Sequence, residues 1–254
     1  EDGDNLELAV GTYGTVSPQP EVFPGPEDPS FDGDGVVTTT IARDDTAYGV
    51  GVQSTGKIVA GGACGLMFDY DFCLARFGSD GSPDGSFGTS GAVTTSLGSY
   101  AIGQAVALGQ DDSIVLAGTA AYGGRQVFAL ARYDEDGAID SGFGSGGVAT
   151  RTIGSDDAEC FGLDIQQDEK LVAAGTSDKG TDNVFTLARF RPGGLPDPGF
   201  GNNGVVTTVI AGWDVAHDVI VQPDGKILAV GESEGAHSPV FAMVRYLWDG
   251  TPDG

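Results

Sequence analysis

Four aspartates (Asp28, Asp84, Asp140, Asp197) and four arginines (Arg76, Arg132, Arg189, Arg245) recur along the chain, and the two sets could pair. The residues before each arginine are apolar, as in Leu74-Ala75 and Leu187-Ala188, so the charge needs a partner once the strand is buried. Two chemistries fit: a ring of charges lining a channel, or ion pairs that lock repeated units together. The locking role is the better reading, because a catalytic centre needs asymmetry and these residues occur in every unit. A different chemistry is offered by Asp134-Glu135-Asp136-Gly137-Ala138-Ile139-Asp140. Its carboxylates have the short spacing of some calcium loops, with glycine at a sharp turn, and hard cations favour clustered oxygen ligands. Asp134, Asp136 and Asp140 are therefore candidate Ca2+ ligands. Weaker echoes occur at Asp80-Gly81 with Asp84, at Asp249-Gly250 with Asp253, and at Asp32 with Asp34. The bidentate glutamate of a full EF-hand is missing, and a plain Asp-Gly turn out of a strand is the structural alternative.

Aromatic and polar residues cluster where the repeated units differ most: loops at 62–72, 118–127, 175–184 and 231–240. Variation on a repeating frame marks the binding face. Phe68, Asp69 and Tyr70 lie in the first loop, Tyr122 and Arg125 in the second, His237 in the fourth. Aromatics beside carboxylates suit sugar rings, which offer apolar faces and hydroxyl donors. Phe72 aligns with Phe128, Phe185 and Phe241 and reads as core, whereas Phe68 and Tyr70 have no counterparts. His217 aligns with Tyr48, Gln104 and Phe161; beside Asp214 it could form an acid–base pair, against the plainer reading of a surface histidine. No zinc spacing, phosphate-cradling loop or recognisable serine nucleophile is present. Cys64 and Cys73 flank the first loop and could form a disulfide in an oxidising compartment. Cys160 aligns with Ala47, Gly103 and Ala216 and reads as a small buried filler.

The elements that position these residues follow from composition and repetition. The chain has 254 residues, 37 acidic against 12 basic, a net charge of −25, 28 Asp to 9 Glu, and 43 Gly. Gly and Asp build turns, so a mostly helical protein is excluded. Nucleic acid is a poor partner for such an acidic chain. No apolar run approaches the ~20 residues of a membrane helix, so no membrane insertion is expected, and no signal peptide is visible. The opening motifs Asp28-Pro29-Ser30-Phe31, Asp84-Gly85-Ser86-Phe87, Asp140-Ser141-Gly142-Phe143 and Asp197-Pro198-Gly199-Phe200 are spaced 56, 56 and 57 residues apart. Glycines follow at fixed distance (Gly35, Gly91, Gly147, Gly204), and the four arginines keep spacings of 56, 57 and 56. Each unit holds four short candidate strands, in the last one 205–209, 216–221, 226–230 and 240–246, with a Gln222-Pro223-Asp224-Gly225-Lys226 turn between the second and third. Residues such as Val106 and Leu108, two apart, share a strand face. The expected fold is all-β: a β-propeller of four-stranded antiparallel blades, with four full repeats of about 56 residues. Parallel β-helices have much shorter coils, and immunoglobulin-like sandwiches need roughly 100 residues each.

The combination of Asp-x-Ser-Phe-Gly-x-x-Gly, Gln-Pro-Asp-Gly-Lys-Ile and Phe-Ala-Leu-Ala-Arg-Tyr resembles the delta-60 type of bacterial β-propeller repeat, over residues 28–254. The resemblance implies a secreted or surface location and carries no catalytic set. Blades are expected at 28–83, 84–139, 140–196 and 197–254. Residues 1–27 read as the remnant of an earlier blade, since Leu8-Ala9-Val10-Gly11 resembles Leu228-Ala229-Val230-Gly231 and is followed by Pro18, Pro20, Pro24 and Pro26. Asp253-Gly254 aligns with Asp84-Gly85, where a repeat opens. A closed four-bladed ring, a segment of a longer propeller, and copies that complete one ring together are all open. The functional expectation is an extracellular or cell-surface binding or assembly module without catalysis, with a glycan or protein as partner, no cofactor other than Ca2+, and a homo-oligomeric state. The alternatives are a propeller-type enzyme acting on extracellular polysaccharide and a structural unit that self-assembles through unfinished blade edges.

Overall fold

The structure, a computed structural model, describes residues 28–254 apart from 68 and 181. The remnant blade expected at 1–27 lies outside the described residues. Period-2 alternation interrupted by Gly-rich turns produces strands only, fifteen of them, arranged in four antiparallel sheets. Sheet one is β1 (Asp44–Val52), β2 (Ile58–Leu66), β3 (Asp69–Phe77) and β4 (Ala92–Thr95), in that order. Sheet two is β5 (Ala101–Leu108), β6 (Ile114–Tyr122), β7 (Arg125–Tyr133) and β8 (Val148–Arg151). Sheet three is β9 (Ala158–Ile165), β10 (Leu171–Asp178), β11 (Asn183–Phe190) and β12 (Val205–Thr208). Sheet four has three strands among the described residues, β13 (Asp214–Val221), β14 (Ile227–Ser233) and β15 (Val240–Tyr246). The fold is thus the all-β, four-stranded blade architecture expected.

The sheets are offset from the sequence repeats by one strand. The boundary expected at residue 84 falls inside sheet one, because β4 pairs back onto β3, with Phe72 opposite Thr95 and Ala75 opposite Ala92. The cause is local. The Asp84 carbonyl accepts from the Phe87 N–H, the Phe87 carbonyl accepts from the Gly91 N–H, and the Gly91 carbonyl accepts from the Arg76 N–H. This double turn, closed by Gly91 at a φ of 94°, folds the start of the repeat back along the blade that precedes it, and the same turn recurs at Gly147 and Gly204.

Each inner strand carries a bulge. One extra residue (Tyr48, Gln104, Phe161 or His217) is accommodated opposite a glycine of the second strand. At those glycines a Cβ would lie 1.9 Å from a carbonyl oxygen of the inner strand: Thr46 for Gly62, Ile102 for Gly118, Glu159 for Gly175 and Val215 for Gly231.

The core lies between sheets. Phe72 and Leu74 of β3, with Phe87 and Val93 from the following repeat, pack on Ile114, Leu116 and Tyr133 of sheet two. Phe128, Leu130 and Phe143 do the same against sheet three, and Phe185, Leu187 and Phe200 against sheet four. Fully burying each such phenylalanine stabilises by roughly 1.5–3 kcal/mol. Sheets one and four do not pack face to face among the described residues, so the four sheets form an open arc.

Candidate functional site

Each repeated arginine bonds the aspartate eight residues on: Arg76 Nε to Asp84 (2.8 Å), Arg132 to Asp140 (2.7 Å), Arg189 to Asp197 (2.9 Å) and Arg245 to Asp253 (2.7 Å). In the first three the guanidinium also donates to a backbone carbonyl of the next blade (Glu135, Pro192, Trp248) and covers a phenylalanine ring at 4.5–4.8 Å. The arginine therefore staples one blade to the next. Arg76 and Arg189 are 2% and 3% exposed and line no channel. Asp28 differs from the expectation: among the described residues its carboxylate meets only Ser30, and the sequence has Pro20 where the other repeats place an arginine eight residues earlier. Asp253, which aligns with Asp84 where a repeat opens, takes the fourth place.

The staples depress their carboxyls. Ser86 and Lys57, then the Arg76 charge, hold Asp84 well below the usual carboxylate range. Burial works against ionisation of Asp197, but the Gly199 N–H, Arg189 and Lys170 outweigh it.

The candidate calcium ligands do not converge. Asp134 accepts the N–H groups of Asp136 and Ala138, Asp136 turns to Arg76, and Asp140 turns to Arg132. Among the described residues no group of three or more His, Cys, Asp or Glu side chains is arranged to hold a metal. Arginines pair with the charges of Asp136 and Asp140, while Asp134 holds its own turn.

Of the variable segments, 62–72 and 118–127 are hairpins and not open loops: β2 runs to Leu66 and β3 starts at Asp69, while Gly123-Gly124 alone connects β6 to β7. The connections at 179–182 and 234–239 are the longer loops. The sulfurs of Cys64 and Cys73 are bonded diagonally across the first hairpin, with Cα atoms 5.8 Å apart. Cys160 is fully buried, and burial pushes its thiol up.

A second set of residues meets at the hairpin-tip end of the arc. Tyr122 and Arg125 face each other across the Gly123-Gly124 turn, both exposed. The Tyr100 carbonyl accepts the Ala121 N–H beside that tip. Burial, then the charges of Glu159, Tyr48 and Tyr70, push the Tyr100 hydroxyl up. Burial and Asp157 raise the Glu159 carboxyl. Trp213, 54% exposed, bridges to Asn183 at the tip of sheet three. Asp69 is exposed at the first tip, and His237 is exposed in the 234–239 loop; no hydrogen bond or ion pair among the described residues joins them to Tyr122 or Arg125. Phe68 lies outside the described residues. His217 is not paired with Asp214, which is fully buried and accepts from Ile210, Ala211 and Ser233. It faces Glu232 at 3.7 Å and the Phe161 ring at 5.8 Å instead. Sequence reasoning missed Tyr100 and Trp213, although they share one repeat position with Asp44 and Asp157, just before the inner strand. Comparing that column across the repeats would have found them.

A family model described as a domain of unknown function (DUF5122) beta-propeller matches residues 53–87, 109–143, 166–200 and 222–254. No curated protein matches the chain. Among solved structures, a GH32 beta-fructofuranosidase of Bombyx mori in complex with sucrose is similar at 10% identity and a TM-score of 0.44, over 82% of this chain and 49% of that one. A mannose phosphorylase from Leishmania mexicana, in complex with phosphate, is similar at 13% identity and a TM-score of 0.33, over 79% and 61%. The chain spans about half the length of the first and less than two thirds of the second, and neither likeness transfers an activity.

Proposed function

The chain belongs to this DUF5122 β-propeller family, and from that premise we propose that it is a non-catalytic, secreted or cell-surface binding module whose hairpin-tip end takes a glycan. The observation that carries the reading is the exposure of two aromatic rings, Tyr48 (53%) and Tyr122 (61%), at positions where the repeats differ, with Tyr122 beside Arg125 at the tip of sheet two. Aromatic rings offer flat apolar faces for the C–H side of a sugar, and carboxylates accept its hydroxyl protons. The charged residues the repeats share are consumed in stapling blades, which leaves recognition to the variable ones. A disulfide between Cys64 and Cys73 supports an oxidising, extracellular compartment. The 56–57-residue spacing and its motifs favour the delta-60 type of repeat.

The test is a glycan array followed by titration calorimetry of the best ligand. Binding is expected to weaken at least tenfold in Tyr48→Ala/Tyr122→Ala, with thermal stability retained. Silence across neutral and acidic glycans, or binding indifferent to both substitutions, would sink the reading.

A further inference from the structure

Three internal interfaces join the four sheets, and each has the same two halves. One half is a knob from the third strand: Phe72 and Leu74, Phe128 and Leu130, Phe185 and Leu187, all fully buried. The other half is a socket built by the following repeat, from its opening segment and the sheet it leads into. For the first interface it is made by Phe87, Val93, Leu97, Ile114, Ala131 and Tyr133. Sheet four has the knob without a socket: Phe241 and Met243 of β15 occupy the equivalent positions and are 104% and 65% exposed. The first repeat has the socket without a knob among the described residues. A cavity of about 390 Å³ is lined by Phe31, Val37, Ile41, Ile58, Ala75 and Phe77, the repeat equivalents, one for one, of the six residues just named.

Three further halves match. The outer edge of β15 has no fourth strand among the described residues, whereas β3, β7 and β11 are covered by β4, β8 and β12. Residues 36–39, Val-Val-Thr-Thr, equal the β12 sequence Val205–Thr208, yet they join no sheet. Among the described residues Arg245 has no ring beneath it and Phe31 has no guanidinium above it, while the other three arginines each cover the opening phenylalanine of the next repeat. Ten and eight residues before Asp28 stand Pro18 and Pro20, where the other repeats have Leu or Met and Arg, and proline cannot donate to a strand ladder.

We propose that two copies of this chain join head to tail, Phe241 and Met243 of one copy entering the socket of the next. Residues 36–39 of the second copy pair along β15 of the first, with Thr39 opposite Phe241 and Val37 opposite Met243, the register by which Thr95 and Val93 meet Phe72 and Leu74. Phe31 then lies under Arg245. Such a contact is heterologous, so copies add until a ring closes or a filament grows. The proposal extends the internal interface of the arc and is independent of any ligand at the hairpin tips.

The experiment is sedimentation velocity over a hundredfold range of concentration, on the 254-residue chain. Wild type is expected to move from one copy to two or more. Phe241→Glu/Met243→Glu keeps only the socket and Ala75→Glu keeps only the knob, so each alone is expected to stay at one copy. An equimolar mixture of the two is expected to form a pair and nothing larger. Circular dichroism of both variants verifies the fold; should Ala75→Glu fail to fold, the charged knob variant mixed with wild type is expected to cap growth of the wild-type oligomer. A wild type that stays at one copy throughout, or an oligomer indifferent to the knob substitutions, would overturn the proposal; the first result means the socket is filled within one chain.

Discussion

The guanidinium of Arg76 lies 4.7 Å from the centre of the Phe87 ring, although the two residues belong to different sequence repeats. The same cation reaches Asp84 in its own sheet and the Glu135 carbonyl of the next. One side chain thus joins the end of a third strand, the opening turn of the following repeat and the adjacent blade. The cation–ring term is worth ~0.5–2 kcal/mol, and the ion pair adds a directional bond to an otherwise apolar boundary.

Removing a buried staple is expected to cost far more than removing the exposed one. Arg189→Met leaves Asp197 buried with only Lys170 near, at 3.7 Å, and should lower unfolding free energy by about 3–5 kcal/mol. Arg245 is about half exposed, and Arg245→Met should shift the denaturation midpoint only slightly. Urea titrations of the two variants side by side check the contrast; equal losses would mean that burial of the pair does not set its worth.

Stability should fall steeply in acid. Asp84, Asp140, Asp197 and Asp253 all have carboxyls held below the ordinary value, by Ser86 and Lys57, by Arg132, by Gly199 and Arg189 against opposing burial, and by Lys226 and Arg245 respectively. A carboxyl depressed in the folded state contributes stability that is full above its unfolded value near 4 and is lost as pH falls through the folded value. Thermal midpoints are therefore expected to be flat from pH 7 to 5 and to drop below about 4. At the alkaline end Tyr133 and Tyr246 are pushed up to about 12 by burial, so stability should decline from about pH 10, where the unfolded chain ionises first. Replacing each tyrosine by phenylalanine should remove that alkaline slope.

The blade architecture was legible because the Phe-Gly openers and the arginines keep one period independently, and two landmarks with one spacing fix where strands must recur. The sheet offset was not, since a Thr-rich strand such as Ala92–Thr95 carries no mark of which neighbour it joins. Only the turn from Asp84 to Gly91 and the Arg76 bond to its carbonyl decide that. The surroundings of the candidate calcium loop were hidden for a related reason: the spacing of Asp136 and Asp140 shows in the sequence, but the arginines they face lie 60 and 8 residues away. The tip cluster was half seen. Tyr70 and Tyr122 stood out as variable aromatics, while Tyr100 comes to the second tip only through the bond its carbonyl accepts from the Ala121 N–H.

The glycine facing each bulge admits no side chain. In Gly118→Ala the new Cβ would lie 1.9 Å from the Ile102 carbonyl oxygen and 2.9 Å from Gly103, backbone that cannot move without undoing the bulge. A loss of at least 2 kcal/mol is expected, on the order of other overpacking and backbone clashes in cores. Gly123→Ala at the neighbouring hairpin tip meets open space and should cost less despite its positive φ of 62°. Denaturant unfolding of both variants tests the ranking.

The disulfide supplies a last measure of how the first hairpin is held. Cys64 and Cys73 close a short loop of sequence separation 9, for which the chain-entropy argument gives about 2–3 kcal/mol. Cys64 and Cys73 are also among the buried residues of sheet one, at 2% and 4% exposure, so their replacement changes packing as well as the crosslink. Cys64→Ala/Cys73→Ala preserves an apolar interior and should lose about that entropy term, whereas Cys64→Ser/Cys73→Ser buries two hydroxyls and should lose more, apart from what Thr94, near both sulfurs, recovers by hydrogen bonding. Reduction of the wild type with dithiothreitol should reproduce the alanine variant, since free thiols behave as small apolar groups. If reduction leaves the midpoint unchanged, the hairpin is held by its ladder alone and the crosslink adds nothing to the fold.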